Sequence, residues 1–414
     1  MAFAVAQASA SLSVALRTSK ATVGRKVALS QAAKPILSRS TKRNVVVKAV
    51  ETEETQLTTD LQEYDDGRDG DWNITYFPGM TNIESMIDEI YSNGYNKKIC
   101  VYAPGGVAEQ MLLLPLIESI HTRLPSVKID IVCTERAKSA YDICPYVRIT
   151  LPYNVGGEVI PDNFAEMTGT LKGEYYECIV SAQPAGAGEA FLLWMASSGN
   201  VLGYTENGAG SIAAKVMYTS SEPTTSAELG RLGTSAYDSL EALVGEKLGG
   251  SYDSSNLPKV GVPAKYQEWA AEALSAAGVP PAGFVLAHGV PSKSAAAMTM
   301  GAFPASASMD VQALELLTKP VVVAAPRADD KAAIEAVVGD KATVVVVDTA
   351  AKLAALVQAS AGVLAANTAA LPMASYMGKP AVGVFESEEV AALYKYKGVT
   401  GVTAEGVASA AAAL

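Results

Sequence analysis

The sequence predicts an α/β protein in which two Rossmann-like parallel sheets face a cleft. Three observations predict it. Short Val-, Ile- and Ala-rich runs alternate with helix-length segments, they do so in two separate series, and a polar stretch divides the series. Strands alternating with helices at this spacing imply right-handed βαβ units and therefore parallel sheets. At 414 residues the chain is long enough for two ordinary domains with appendages.

The first 50 residues contain no Asp or Glu but nine Lys or Arg, with Ser, Thr and Ala filling most of the remainder. An acid-free, basic, hydroxylated leader has the composition of an organellar transit peptide. The Met-Ala start and the VVVKAV run favour a chloroplast, with cleavage near Ala49; the other reading is a basic tail that is kept. Residues 50–95 are expected as an acidic linker and an adaptor helix. The stretch 51–71 is polar and acidic. Ile83, Met86, Ile87 and Ile90 follow at the spacing of one helix face. That helix packs on the first domain or binds a partner.

The first domain, 96–205, opens with a strand at 99–102, a turn at 104–106, a helix at 108–124 and a strand at 128–133. A helix at 135–143 and strands near 147–151 and 178–182 follow. Residues 206–279 read as a connector with helices, one of them at 236–244. The second domain, 280–414, carries strands at 284–287, 321–324, 343–347, 362–365 and 381–385, and the Ala-rich end GVASAAAAL reads as a closing helix.

Without the leader, 23 of the 32 basic residues remain against 43 acidic ones, so the formal charge moves from −11 to −20. Such a surface repels phosphate backbones and anionic lipid headgroups, which argues against nucleic acid as a partner. No run of about 18 apolar residues is present, so no transmembrane helix is expected. The expected location is the chloroplast stroma, with contact to thylakoids made through a partner. Cys100, Cys133, Cys144 and Cys178 show no CxxC spacing and lie in or beside apolar runs, as structural thiols do. Only His121 and His288 are available for a histidine-based metal centre, so no metal is expected. There is no Walker A, GxGxxG or GxSxG motif, and PAGAG at 184–188 is one glycine-rich hit in a chain with 34 glycines.

The most informative stretch is AGVLAANTAALPMASYMGKPAVGVFE at 361–386. It reads as buried strand, turn, short helix, Gly-Lys-Pro break and second strand. Asn367 and Thr368 stand where a strand hands over to a helix, the place where ligands sit in open α/β sheets. The stretch resembles the C-terminal signature of the heptosyltransferases, glycosyltransferase family 9, of the GT-B fold. There an Asp-Thr-Gly turn, a His-containing helix and a Gly-x-Pro break precede a strand ending in Phe or Tyr. Asn367 stands for the Asp, Ala369 for the Gly and Pro372 for the His.

Three more segments extend the resemblance in the same order along the chain, over about residues 96–400. PGGVAEQMLLLPLIESIHTRLPSVKIDIVCTERAKSAYDICPYV is similar to the family's opening βαβ unit. Six residues before Pro115 stands Glu109, at the position of the family's catalytic Asp; Ala108 stands for a glycine, and Cys144-Pro145 fills a later phrase. Gln183 and Gly203-Tyr204 match a strand end and a Gly-Phe/Tyr phrase. FVLAHGVPSK at 284–293 sits where the family has a strand and a phosphate loop, but SAAAMTMGAFPAS replaces the Lys-x-Trp-Pro phrase that follows there.

The resemblance implies two Rossmann-like GT-B domains and a nucleotide-sugar site. Glu109 would be the general base. Ser292 and Lys293, with Asn367 and Thr368, would surround the diphosphate. Each has a plainer reading: Glu109 as an exposed acid at a helix start, favourable to the macrodipole, and Lys293 as a solvated loop side chain. The three changes at 367–372 are structurally mild and chemically costly. They favour a pseudoenzyme, a binding or assembly factor for a photosynthetic or other stromal complex with a protein partner and no cofactor. The other class is an active glycosyltransferase using a nucleotide sugar.

Overall fold

The computed structural model describes residues 98–153, 161–197, 199–206, 210–253, 256–290, 309, 311–412 and 414. The leader, the acidic linker, the adaptor helix and the Ser292–Lys293 loop lie outside these residues.

The first lobe runs β1 (Lys98–Ala103), α1 (Val107–Arg123), β2 (Lys128–Cys133), β3 (Val147–Pro152), α2 (Pro161–Gly173), β4 (Cys178–Ala185), α3 (Ala187–Ala196), β5 (Asn200–Glu206), α4 (Gly210–Met217) and β6 (Ser220–Thr224). Helices α5 (Ser226–Gly230), α6 (Asp238–Leu248) and α7 (Ala264–Ala276) lead to the second lobe. That lobe runs β7 (Val285–His288), β8 (Val321–Ala325), α8 (Ala328–Val338), β9 (Thr343–Val346), α9 (Ala350–Ala359), β10 (Gly362–Ala366), α10 (Ala370–Tyr376), β11 (Ala381–Phe385), α11 (Glu388–Leu393), β12 (Val399–Thr403) and α12 (Val407–Ala411). The sheets are separate and six-stranded, ordered β3-β2-β1-β4-β5-β6 and β12-β11-β10-β7-β8-β9. Every pairing is parallel, as the alternation of strands and helices requires.

The central strands are buried on both faces because helices cover both, and their sequences are accordingly unbroken apolar runs. KICVYA in β1, AVGVF in β11 and VVVAA in β8 are buried almost throughout. The edge strands β6 (SSEPT) and β12 (VTGVT) are half-exposed. Pro223 is tolerated in β6 because an edge strand has one side free of ladder bonds. Strand β6 falls inside the segment expected as a connector, so the first sheet continues to Thr224.

The helix expected at 135–143 is instead a turn followed by a 3-10 segment, Lys138–Ile143. The residue before Pro145 is sterically driven out of the α region, and Cys144 is extended at φ −98° and ψ 114°. Too few residues remain ahead of it for regular α turns.

One buried ionic network ties β2 to β3. Asp130 is fully buried and accepts hydrogen bonds from Arg148 Nε at 2.9 Å, from Arg148 Nη2 and from the Tyr176 hydroxyl at 2.8 Å. Arg148 also pairs with Glu174 at 2.7 Å, and Lys98 holds the same carboxylate at 2.8 Å. Lys98 and Arg148 hold Glu174 below the usual carboxylate range. Arg148→Met leaves a buried carboxylate with only a phenol partner. It is expected to cost about 2–3 kcal/mol in urea unfolding, just below the usual range of about 3–5 kcal/mol for breaking a buried pair because Arg148 is itself partly exposed.

The lobes share a hydrophobic core. Side chains from β1, α1 and α6 join those of α9, α10 and β11 in one continuous cluster. Helix α1 packs on α10, and the 3-10 segment packs on α9. Across this junction the Tyr376 hydroxyl donates to the Met111 carbonyl at 3.0 Å, and the Ala350 N–H donates to Ser139 Oγ at 2.9 Å.

Candidate functional site

Each sheet reverses its strand order once, between β1 and β4 and between β10 and β7. Crevices open beyond the carboxyl ends of strands at such switch points. The end of β1 feeds Gly105-Gly106 and the start of α1. Gln183 lies near the end of β4, and His288 ends β7. Asn367 and Thr368 follow β10.

Glu109 lies in the first turn of α1 and is half-buried, not exposed as the plainer reading had it. Burial pushes its carboxyl pKa up, against hydrogen bonds from the backbone at Gly106 and Glu109. The loop beneath it is closely packed by the Glu109 and Gln183 side chains. A Cβ on Gly106 would sit 2.8 Å from Glu109 Oε2, and one on Gly105 would sit 2.7 Å from Gln183 Nε2. The Glu109 charge is felt by Tyr237 and by Tyr394 of the second lobe, whose phenol pKa values burial has already raised, that of Tyr394 to about 12.

Tyr394 links the lobes' polar groups. Its ring stacks on Phe385 at 5.5 Å, and its hydroxyl is hydrogen-bonded to the Asn367 side chain. Asn367 and Thr368 are only 2% and 5% exposed. Thr368 Oγ1 lies 2.7 Å from Nδ1 of the buried His288, whose pKa burial lowers to about 4, so the imidazole is neutral at physiological pH. Both side chains of the turn are therefore engaged within the protein.

The substituted positions fit the backbone. Ala369 has φ −56° and ψ −21°, ordinary helical values that need no glycine. Pro372 is the third residue of the buried helix α10, where a missing N–H costs little.

The structure thus brings Glu109, Asn367 and Thr368 to one region; Ser292 and Lys293 fall outside the described residues. Sequence reasoning missed His288, Tyr237 and Tyr394 as part of this cluster and named Gln183 only as matching a strand end. His288 left a signal as one of two histidines and at the end of a strand. Among the described residues no group of three His, Cys, Asp or Glu could hold a metal ion. All four cysteines are buried without disulfides, and burial raises the thiols of Cys133 and Cys178 to about 12.

No protein-family model matches the sequence. The chain is 31% identical over 336 residues to the Arabidopsis thaliana protein named photosynthetic NDH subunit of subcomplex B 1, chloroplastic; the match covers 80% of this chain and 73% of that protein. The chain belongs to the family of that NDH subunit. The fold of the chain, in turn, is similar to that of glycosyltransferases. A glycosyl transferase family 9 structure from Veillonella parvula matches with a TM-score of 0.59 at 13% identity, covering 74% of this chain and 87% of its own. E. coli heptosyltransferase WaaC gives 0.54 at 13% identity, covering 75% and 95%. E. coli ADP-heptose lps heptosyltransferase II gives 0.54 at 14% identity, covering 74% and 90%. These likenesses show that this chain has the GT-B, heptosyltransferase-like fold. Among the described residues no helix is long and apolar enough to cross a membrane.

Proposed function

We propose that this chain is a non-catalytic GT-B-fold subunit or assembly factor of a photosynthetic NDH-type complex in the chloroplast, facing the stroma and acting through protein partners. The observation that carries the reading is the turn after β10. Asn367 and Thr368 are buried and hydrogen-bonded to Tyr394 and His288, so the side chains that would hold a donor sugar or diphosphate already have protein partners. The similarity to the NDH subunit supports the choice of complex. Native-gel separation of chloroplast complexes from plants expressing a tagged chain tests it. Co-migration with the NDH complex is expected, and migration only as free protein overturns the proposal.

One observation favours a second reading, an active glycosyltransferase using a nucleotide sugar. Glu109 is a half-buried carboxylate with a raised pKa in the first turn of α1, just beyond the carboxyl end of β1, as a general base would be. Calorimetric titration with ADP, UDP, GDP and ADP-sugars separates the two. No micromolar binding is expected, and binding that disappears in Lys293→Ala would restore the enzyme.

Glu109→Gln gives a sharper test. Loss of a general base costs about 10²–10⁴ in rate, so an enzyme would show a null-like phenotype in a complemented mutant; full complementation is expected. The stability sign is also fixed. A carboxyl whose folded pKa lies above its unfolded value stabilises the fold below about pH 4.5 and loses that contribution as pH rises through the folded pKa. The amide should therefore melt no lower than the native protein at pH 7–8.

A further inference from the structure

Among the described residues four strands stand at sheet edges, and they are not alike. Strand β3 carries Arg148 and Pro152, β6 carries Glu222 and Pro223, and β12 has a glycine at its centre. Such residues blunt an edge against pairing with another chain. Strand β9, TVVV, has none of them. Its central residues Val344 and Val345 are nevertheless only 5% and 7% exposed, because helices rise on both sides of it. Val345 joins the apolar cluster that holds Ala270 and Leu274 of α7, and Val344 the one that holds Ile334 and Val338 of α8. The edge is thus the floor of an open groove of about 640 Å³. Trp269, Ala273 and Ala276 of α7 line one wall, and Lys331 and Glu335 of α8, paired at 3.6 Å, line the other. Asp340 stands at the end where β9 begins.

The backbone of that floor is half unspent. In a parallel ladder one residue turns both its N–H and its C=O to a given neighbour, and the next turns both away. The Val347 N–H donates to the Ala325 carbonyl of β8 at 2.7 Å. Thr343 and Val345, in the same phase, therefore face β8, while Val344 and Val346 turn their N–H and C=O groups to the groove. We propose that the groove captures an extended segment of a partner polypeptide, which joins the second sheet as a seventh strand beside β9. On the reading that this chain acts through protein partners, one of them docks here. Side chains of an added strand alternate between the two walls, and the walls differ. Apolar residues suit Trp269 and the alanines of α7. Charged residues suit α8, an acid beside Lys331 and a base beside Glu335 and Asp340. The segment thus alternates apolar with polar or charged residues. A second copy of this chain is the poorer occupant: its sheet edge comes with helices on both faces and is too thick to enter between α7 and α8.

Selection of random-sequence peptides displayed on phage against the purified full chain tests this. The peptides recovered should share the alternating pattern. Two variants challenge the groove: Val344→Pro removes one outward N–H and spares the ladder to β8, and Ala276→Arg fills the groove from an exposed position. Melting curves check that both are folded, and each should weaken peptide binding at least tenfold. Residue-resolved hydrogen exchange on the native chain needs no variant. Saturating peptide should slow the Val346 amide at least tenfold and leave that of Val345, already bonded to β8, unchanged. The proposal is overturned if no peptide is selected, if those selected lack the alternation, if binding persists in both folded variants, or if the Val346 amide is unaffected. A dimer of the native chain that Val344→Pro dissociates overturns it too, since the occupant would then be a second copy. The selection uses the isolated chain, so the groove can fail while the chain still co-migrates with the NDH complex, and can stand where it does not.

Discussion

A chain carrying Gly203→Val will not accumulate as a folded protein. Gly203 sits in β5, opposite Ser181 of β4, with φ +145°, a conformation that L side chains rarely adopt. A Cβ there would lie 2.3 Å from the Ser181 carbonyl oxygen and 2.8 Å from its nitrogen. Neither neighbour can yield, because both are backbone atoms of an adjacent strand inside the first sheet. The combined strain and overlap are expected to exceed about 4 kcal/mol, a large part of a domain's usual 5–15 kcal/mol. Soluble yield and the far-ultraviolet circular dichroism of the purified variant check this; near-native stability would contradict it. Tyr204→Phe is the graded companion. The Tyr204 hydroxyl donates to the Ala236 carbonyl at 2.9 Å and accepts from the Leu240 N–H at 3.2 Å, tying β5 to the start of α6. Its loss should cost about 1–3 kcal/mol while leaving the fold intact.

The second large effect is a loss of stability in mild acid that depends on His288. Burial lowers its pKa from 6.5 to about 4 in the folded state. The unfolded chain therefore takes up a proton first as pH falls. The neutral imidazole's contribution is complete above about pH 6.5, shrinks as pH drops below that value and is lost by about pH 4. The difference amounts to on the order of 3 kcal/mol. His288→Asn keeps a polar group facing Thr368 but cannot titrate. Urea midpoints measured at pH 7.5, 6, 5 and 4.5 should fall more steeply for the native chain than for the variant; parallel curves would show that His288 is not the buried neutral group described here.

How much of this was legible follows from where the information sits. Most inner strands are readable because burial on both faces forces apolar runs, and the strand at 128–133 agrees with the structure residue for residue, whereas inner β5, NVLGYTE, is too rich in polar residues and glycine to be read as a strand. Edge strands β6 and β12 have one neighbour each, so polar residues and Pro223 are tolerated and the signal fades. The turn at Asn367 and Thr368 is marked by position alone, since it follows an obvious strand. What surrounds that turn is not: Tyr394 and His288 reach it from 27 and 80 residues away, and a single sequence carries no record of that proximity. Glu109 stood out through resemblance, but its half-burial is a tertiary fact.

The apolar core that runs through both lobes has a mechanical consequence. A two-lobed body that opened and closed by hinge bending would have to peel α1 from α10 and the 3-10 segment from α9, wetting side chains that are now dry and breaking the Tyr376–Met111 and Ala350–Ser139 hydrogen bonds. Such a molecule behaves as a stiff spacer. It melts in one transition instead of lobe by lobe, and whatever attaches to its two ends is held at a fixed separation and angle.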